Sequence, residues 1–408
     1  MLNHRALDGF FQDDEFDTLG WAPFVPARQY VIGFLKPLFD ASNFRPAGHL
    51  YFTLMSNAVG MNFPSYIPPI FFFHLVNCAL VFCILRKLGT ETWRSIAATA
   101  FFGLSASAMD AYWKPMYVYD LFCATFCLAS ILLFIYRRWI LSFLAFWLAY
   151  KAKELAVMLP LALLAYEHWL GERRFKILIP FFLASLSFGI QGLLMNPNKN
   201  NDYTFRFTLN ALKVTVPFYA RKLLLFRWST LLLLPLLLLR DRRIWFALFA
   251  MGCFLFTLLF LPGRLFEAYF YLPLACAAIA MGVASTRTHP ACAWIFIAIW
   301  SIFNVNHLQH KQNDKLRQDD QVFAFVGPIE QWAAVHPAVT TLVYPTPPPG
   351  FHDWGVAGAW STAHHAVGLQ SFFKDSPEGV AALASQTVAL SSWDEQSRTY
   401  VVRIHSPK

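Results

Sequence analysis

Apolar stretches recur along the chain at about 66–86, 95–110, 116–136, 139–151, 154–170, 175–195, 228–240, 243–262, 265–285 and 289–306, with short polar breaks between them. A helix needs about 20 residues to cross the hydrocarbon of a bilayer, so 139–151 and 228–240 must tilt or extend into their flanks. The pattern predicts an all-α polytopic membrane protein of about ten spans. Pro46–Val59 is too short and polar to span: Leu50, Phe52, Leu54 and Met55 are set among His49, Thr53, Ser56 and Asn57. It is expected to be a helix lying at the interface. The run 208–227, with Lys213, Arg221, Lys222 and Arg227 among apolar residues, is expected to be a second.

Beyond residue 306 the pattern changes. An amphipathic helix near 319–335, a strand at Thr341–Tyr344, a proline-rich turn at Pro345–Pro349 and a hairpin of Thr387–Trp393 with Thr399–Ile404 predict a small α/β domain. The organisation expected is a first outer loop over 1–65, a helical bundle over 66–306 and a soluble extracytoplasmic domain over 307–408.

Composition agrees with lipid as the solvent: 57% of residues are hydrophobic and 14% charged, where soluble domains have about 25% charged. The net charge of +9 does not indicate a nucleic-acid partner, because Lys and Arg mostly flank the apolar runs. Arg86, Lys87 and Arg94, then Arg137 and Arg138, Arg173, Arg174 and Lys176, Arg240, Arg242 and Arg243, and Arg287 fall in alternate loops, which makes those loops cytoplasmic. The amino end, the turn at 111–115, the 151–154 junction, the segment 196–227, the turn at 262–265 and the tail then lie outside. Residues 1–45 lack the pattern of a signal peptide, so whatever carries this end across the membrane is expected from outside the sequence. The seven cysteines sit in apolar segments without metal-ligand spacing, and no glycine-rich phosphate loop occurs.

The densest acidic run is Asp13, Asp14, Glu15 and Asp17. Neighbouring carboxylates raise one another's pKa, which suits a general base, and they also suit a hard divalent cation. The plain alternative is a solvated acidic tip. Lys153 and Glu154 lie where one apolar run breaks before the next, at a depth where ionisable residues are costly. Lys153 would meet an anionic phosphate there, unless the pair merely snorkels. Asp110, Lys114 and Asp120 frame the first outer turn, and Arg264 and Glu267 open a later helix beside Tyr269. His74 and Asn77 read as interhelical hydrogen-bonders.

Asp13-Asp14, Phe44-Arg45-Pro46, Phe73-His74-Leu75-Val76-Asn77, Arg86-Lys87-Leu88-Gly89, Ala152-Lys153-Glu154-Leu155-Ala156-Val157 and Glu267-Ala268-Tyr269-Phe270-Tyr271-Leu272-Pro273 follow one another in an order that resembles the GT-C class of integral-membrane glycosyltransferases. The likeness is to its protein O-mannosyltransferase-like and TPR-containing transmembrane O-mannosyltransferase branch, over about residues 11–285. The resemblance implies a GT-C-like bundle that takes a sugar from a polyprenyl-phosphate carrier on the extracytoplasmic side. It also implies that Asp13 is catalytic base or metal-associated, with Asp14 its neighbour, that Lys153-Glu154 lie near the carrier phosphate, and that Asp110 holds the acidic position of the second outer loop. Members of the class place a spanning helix before the acidic loop, whereas here only residues 1–12 precede Asp13, and Tyr117-Val118-Tyr119 replaces a small arginine motif before Asp120.

The function expected is therefore a polyprenyl-phosphate-sugar-dependent hexosyltransferase in a bacterial inner membrane, its active site facing the periplasm or cell exterior. Asp13 and Asp14 are catalytic, with room for magnesium or manganese. Arg45, Asp110, Lys153, Glu154, Arg264, Glu267 and Tyr269 bind substrate. The acceptor is a hydroxyl of protein, lipid or glycan. The rival readings are a lipid or solute transporter, or an inactive GT-C-like assembly factor.

Overall fold

The computed structural model describes residues 4–37, 44–195, 200–225, 231 and 234–407. In chain order the helices are α1 (Asp13–Leu19), α2 (Ala27–Leu35), α3 (Pro46–Val59), α4 (Phe63–Lys87), α5 (Thr92–Leu104), α6 (Met109–Trp113), α7 (Val118–Ile135), α8 (Trp139–Ala152), α9 (Leu159–Trp169), α10 (Ile179–Met195), α11 (Leu209–Leu224), α12 (Leu234–Leu238), α13 (Arg242–Leu259), α14 (Tyr271–Ser285) and α15 (Pro290–Val335). Then follow β1 (Thr341–Tyr344), α16 (Asp353–Ala363), β2 (Gln370–Phe373), α17 (Pro377–Ser385), β3 (Val388–Asp394) and β4 (Thr399–His405). The chain divides into a terminal unit, Met1–Tyr30 with His49–Pro68 and Lys311–Lys408, and a helical unit, Val31–Gly48 with Pro69–His310.

In the terminal unit the strands run in the order β2-β1-β3-β4, with β1 parallel to both neighbours and β3 antiparallel to β4. Every residue of β1 is buried, as expected of a central strand covered on both faces. Val343, Ala382 and Val388 form a core beneath α17. The acidic run is no solvated tip. Asp13, Asp14 and Glu15 occupy the first turn of α1, where negative charge complements the helix dipole, and the Gln12 amide donates to Glu15 Oε2 at 2.7 Å. Asp319, in the polar half of α15, accepts from the Phe10 amide at 3.1 Å and from Gln12 Nε2 at 2.7 Å. These bonds join the first residues of the chain to the tail.

The helical unit exposes large apolar side chains along its helices, among them Phe72, Leu75, Ile140, Leu183 and Leu186. Such exposure on several helices at once fits hydrocarbon rather than water as the surrounding solvent. Among the described residues five helices are long and apolar enough to cross a membrane, over Phe63–Lys87, Pro115–Ile135, Arg242–Leu259, Glu267–Ser285 and Pro290–Val335. This is the architecture of an integral membrane protein, with half the long spans the periodicity suggested. The difference has local causes. The runs 139–151 and 154–170 become helices of 14 and 11 residues, parted by a 3-10 turn at Glu154–Met158, and α5 ends after 13 residues at Ser105. Of the run 228–240, residues 228–230, 232 and 233 lie outside the described residues. The last run does not stop at 306: α15, 46 residues in all, continues through a polar stretch with no helix breaker before Gly327-Pro328.

Several polar groups inside the bundle are paired between helices. His74 Nδ1 lies 2.7 Å from Tyr271 Oη and its Nε2 lies 3.0 Å from the Gly103 carbonyl, while Asn77 Nδ2 donates to Tyr271 Oη at 3.2 Å. Ser130 and Ser142 each donate to the other's carbonyl at 2.8 Å, tying α7 to α8.

In the terminal unit α1 meets α16 backbone to backbone. A Cβ on Gly358 would come within 2.4 Å of the Phe16 carbonyl, whereas one on Gly252 meets nothing within 4 Å. Gly358→Ala should destabilise the terminal unit by roughly 1–3 kcal/mol, and Gly252→Ala should not lower stability. Thermal unfolding of the full chain in detergent, followed by tryptophan fluorescence, tests both; a melting temperature unchanged by Gly358→Ala would refute the packing described.

Candidate functional site

A break between two helices builds the site in the helical unit. The helix α8 ends at Ala152, Lys153 is extended (φ −160°, ψ 150°), and the 3-10 turn from Glu154 leads to Pro160 in the first turn of α9. The Lys153 and Glu154 side chains therefore leave the helix axis instead of running along it.

Each takes an opposite charge from another element. Lys153 Nζ donates to both carboxylate oxygens of Asp120 at 2.6 Å, near the start of α7, and lies 3.8 Å from the centroid of the Tyr269 ring. Glu154 Oε1 accepts from Arg45 Nε at 2.8 Å and from Nη2 at 2.6 Å, and the Arg45 guanidinium lies 5.6 Å from the Tyr119 ring centroid. Lys222 of α11 pairs with Glu267, and the Lys222 carbonyl accepts from Ser107 Oγ at 2.6 Å. The Lys153–Asp120 pair is the most enclosed, with side chains 14% and 4% exposed. Close by, the buried Tyr219 hydroxyl has no hydrogen-bond partner among the described residues. Three cations and three carboxylates are thus gathered where α7, α8, α11 and the turn before α14 end, and three aromatic rings flank them. A lone charge at such depth is costly, and each of these has a partner of opposite sign.

The structure brings Arg45, Lys153, Glu154, Glu267 and Tyr269 into this assembly. Asp110 is buried in α6. Arg264 lies over the rings of Tyr203 and Phe266, at 4.2 Å and 4.6 Å. Sequence reasoning left Asp120, Tyr119 and Lys222 outside the binding set. A carboxylate in the first turn of an apolar span was the available signal for Asp120; Lys222 carried none beyond its place on an amphipathic helix.

Asp13 and Asp14 belong to the terminal unit, where Asp13 is 8% exposed. Its Oδ1 accepts from the His352 amide at 2.9 Å, and its Oδ2 lies 2.6 Å from His352 Nδ1. Burial pushes the Asp13 carboxyl above its ordinary value, outweighing the opposing effect of the His352 contacts. Among the described residues no three His, Cys, Asp or Glu side chains are grouped to hold a metal. Asp13 and Asp14 would supply at most two carboxylates to a divalent cation, which would complete its six oxygens with water and substrate phosphate.

None of the family models matches this chain, and the curated proteins and solved structures give no match either.

Removing one partner of the enclosed pair leaves a buried charge unmatched. Asp120→Asn should destabilise the protein by about 3 kcal/mol, and Asp120→Leu combined with Lys153→Met should recover most of that loss. A double-mutant cycle on unfolding free energies measures the coupling; additive losses would mean that the two side chains do not interact.

Proposed function

We propose that the protein is a glycosyltransferase that moves a sugar from a polyprenyl-phosphate carrier to a hydroxyl acceptor on the extracytoplasmic face of a bacterial inner membrane. The observation that carries the reading is the paired charge assembly around Lys153. A polar, aromatic-lined cluster at one end of an apolar helical unit is chemically matched to a phosphate on an isoprenoid chain.

The ten-span arrangement of the GT-C class belongs to the same reading. Loop contacts in the helical unit fall into two sets, which supports alternation. Residues 45, 107, 120, 153–154, 222 and 267 interact with one another, and residues 87–88, 136–137, 172–174, 241–243 and 287 do the same. The shorter helices then complete the crossings by tilting or through their 3-10 extensions. That the first residues and the tail fold as one unit supports an even number of crossings between them.

Lys153 and Arg45 draw the carrier phosphate by charge, and Tyr269 and Tyr119 offer flat faces beside it. Asp13 receives the acceptor's hydroxyl proton, with Asp14 in support. The acceptor oxygen bonds to the anomeric carbon as the bond from that carbon to the phosphate oxygen breaks, and the electron pair leaves on polyprenyl phosphate.

Membranes containing the full chain, supplied with synthetic polyprenyl-phosphate hexoses and a panel of hydroxyl acceptors, should form glycosylated product. Lys153→Gln and Asp13→Asn should each lower kcat/KM about a hundredfold at unchanged protein level. Carrier hexose moved across the bilayer without product would instead indicate a transporter. A base must be deprotonated to act, so the rate should rise with pH through the Asp13 pKa, on an acid limb lying above the usual aspartate range. A pH-rate profile in which Asp13→Asn keeps that limb would remove Asp13 from the role of base.

A further inference from the structure

At the end of the helical unit away from Lys153, neighbouring loops touch in series. Arg137 pairs with Glu172, which also holds Arg174. Lys87 Nζ lies 4.1 Å from the Tyr136 ring centroid, Arg243 Nη1 donates to the Leu88 carbonyl at 2.8 Å, and Arg243 and Arg287 share the Asp241 carboxylate. The contacts link the loops after α4, α7, α9 and α14 with the turn before α13.

Three residues other than glycine in these loops adopt the left-handed backbone conformation that favours glycine, and all three are arginines: Arg137 (φ 61°), Arg173 (φ 60°) and Arg240 (φ 45°). At Arg137 the cause is local. The helix α7 closes with Arg137 N donating to the Phe134 carbonyl and Arg138 N to the Leu133 carbonyl, both at 2.9 Å, a closure that places the residue after the cap at positive φ. The helix α4 closes with the same two bonds, from Gly89 N to Arg86 O at 3.1 Å and from Thr90 N to Leu85 O at 3.0 Å, and there the residue is glycine (φ 80°). Glycine takes this conformation without strain and arginine does not. At three places on one rim, then, the backbone favours the residue that the sequence does not use. A guanidinium is present instead, exposed, and flanked by outward-facing Ile140, Leu141, Ile179 and Leu238.

We infer that this rim is a collar for anionic phospholipid headgroups, with Arg137, Arg173 and Arg240 contacting their phosphates. The planar fork of a guanidinium matches phosphate oxygens in pairs, and the flanking apolar side chains face where the acyl chains would lie. A cation at a helix C-terminus also gains from the helix dipole, but that gain is the same in every lipid. The collar goes beyond sugar transfer and stands without it.

The test is melting of the full chain in nanodiscs of phosphatidylcholine alone and of phosphatidylcholine with phosphatidylglycerol. The unaltered protein should melt higher with phosphatidylglycerol present. The triple variant Arg137→Gly, Arg173→Gly, Arg240→Gly should melt no lower than the unaltered protein in phosphatidylcholine, because three strained positions relax, and should lose the gain from phosphatidylglycerol. Phosphatidylglycerol retained in native mass spectra should weaken about fivefold per arginine removed. No gain for the unaltered protein, or a gain kept by the triple variant, overturns the collar. Arg173→Gly alone, which breaks no ion pair, gives the same comparison at smaller amplitude if the triple variant does not fold. Stabilisation by soluble polyglutamate and none by phosphatidylglycerol would assign the rim to an acidic protein and also overturn it.

Discussion

Three oppositely charged pairs, drawn together where helices end, impose the main constraint on the helical unit. A charge removed from water is tolerated only with a partner of opposite sign and good geometry. Lys153 therefore requires Asp120, and Asp120 in turn sets the position of α7 relative to the break after α8. The extended Lys153 and the 3-10 turn at Glu154 are part of the same requirement. A continuous helix through 139–169 would carry these two side chains along its own surface, in different directions and away from Asp120 and Arg45. The break that shortens two apolar helices is thus what assembles the polar site.

Much of this was legible locally. Pro46–Val59 and Thr341–Tyr344 fold over the residues that their patterns mark, and the tail hairpin agrees to within a residue. Amphipathic period, β-branched content and proline position are short-range signals, and these elements depend on little else. Length was less legible. Hydropathy cannot distinguish spans from shorter helices joined by a 3-10 turn, so 139–170 read as two crossings, the first of them short. Nor does it mark the end of α15, where the polar stretch after 306 remains helical as far as Val335, past Gly327-Pro328.

The candidate site was legible in its types and not in its pairings. Lys153 and Glu154 stood out because charge interrupts an apolar pattern, yet Arg45 lies 109 positions from Glu154 and Lys222 lies 45 positions from Glu267. His352, 339 positions from Asp13, illustrates the same limit. The acidic run looked like exposed chemistry, but its first member is buried and engaged by the amino end of α16, which gives Asp13 a packing role whatever else it does. Tertiary pairing of this kind leaves no trace in one sequence.

Charge balance also favours a particular type of ligand. With three cations facing three carboxylates, the assembly is close to neutral before anything binds. A sugar phosphodiester carries one negative charge; beside Arg45 or Lys153 it would add that charge to the assembly, because the carboxylate it displaces stays in the chain. When the anomeric bond breaks, the phosphate left on the isoprenoid approaches a second negative charge at neutral pH, as phosphate monoesters do. On the proposed reading, the same cations would then interact more strongly with the departing group than with the intact donor. Binding that strengthens as the bond breaks lowers the barrier, whereas binding of equal strength throughout would only hold the donor. A carrier with a fixed charge, such as a carboxylate lipid, would gain nothing from this arrangement.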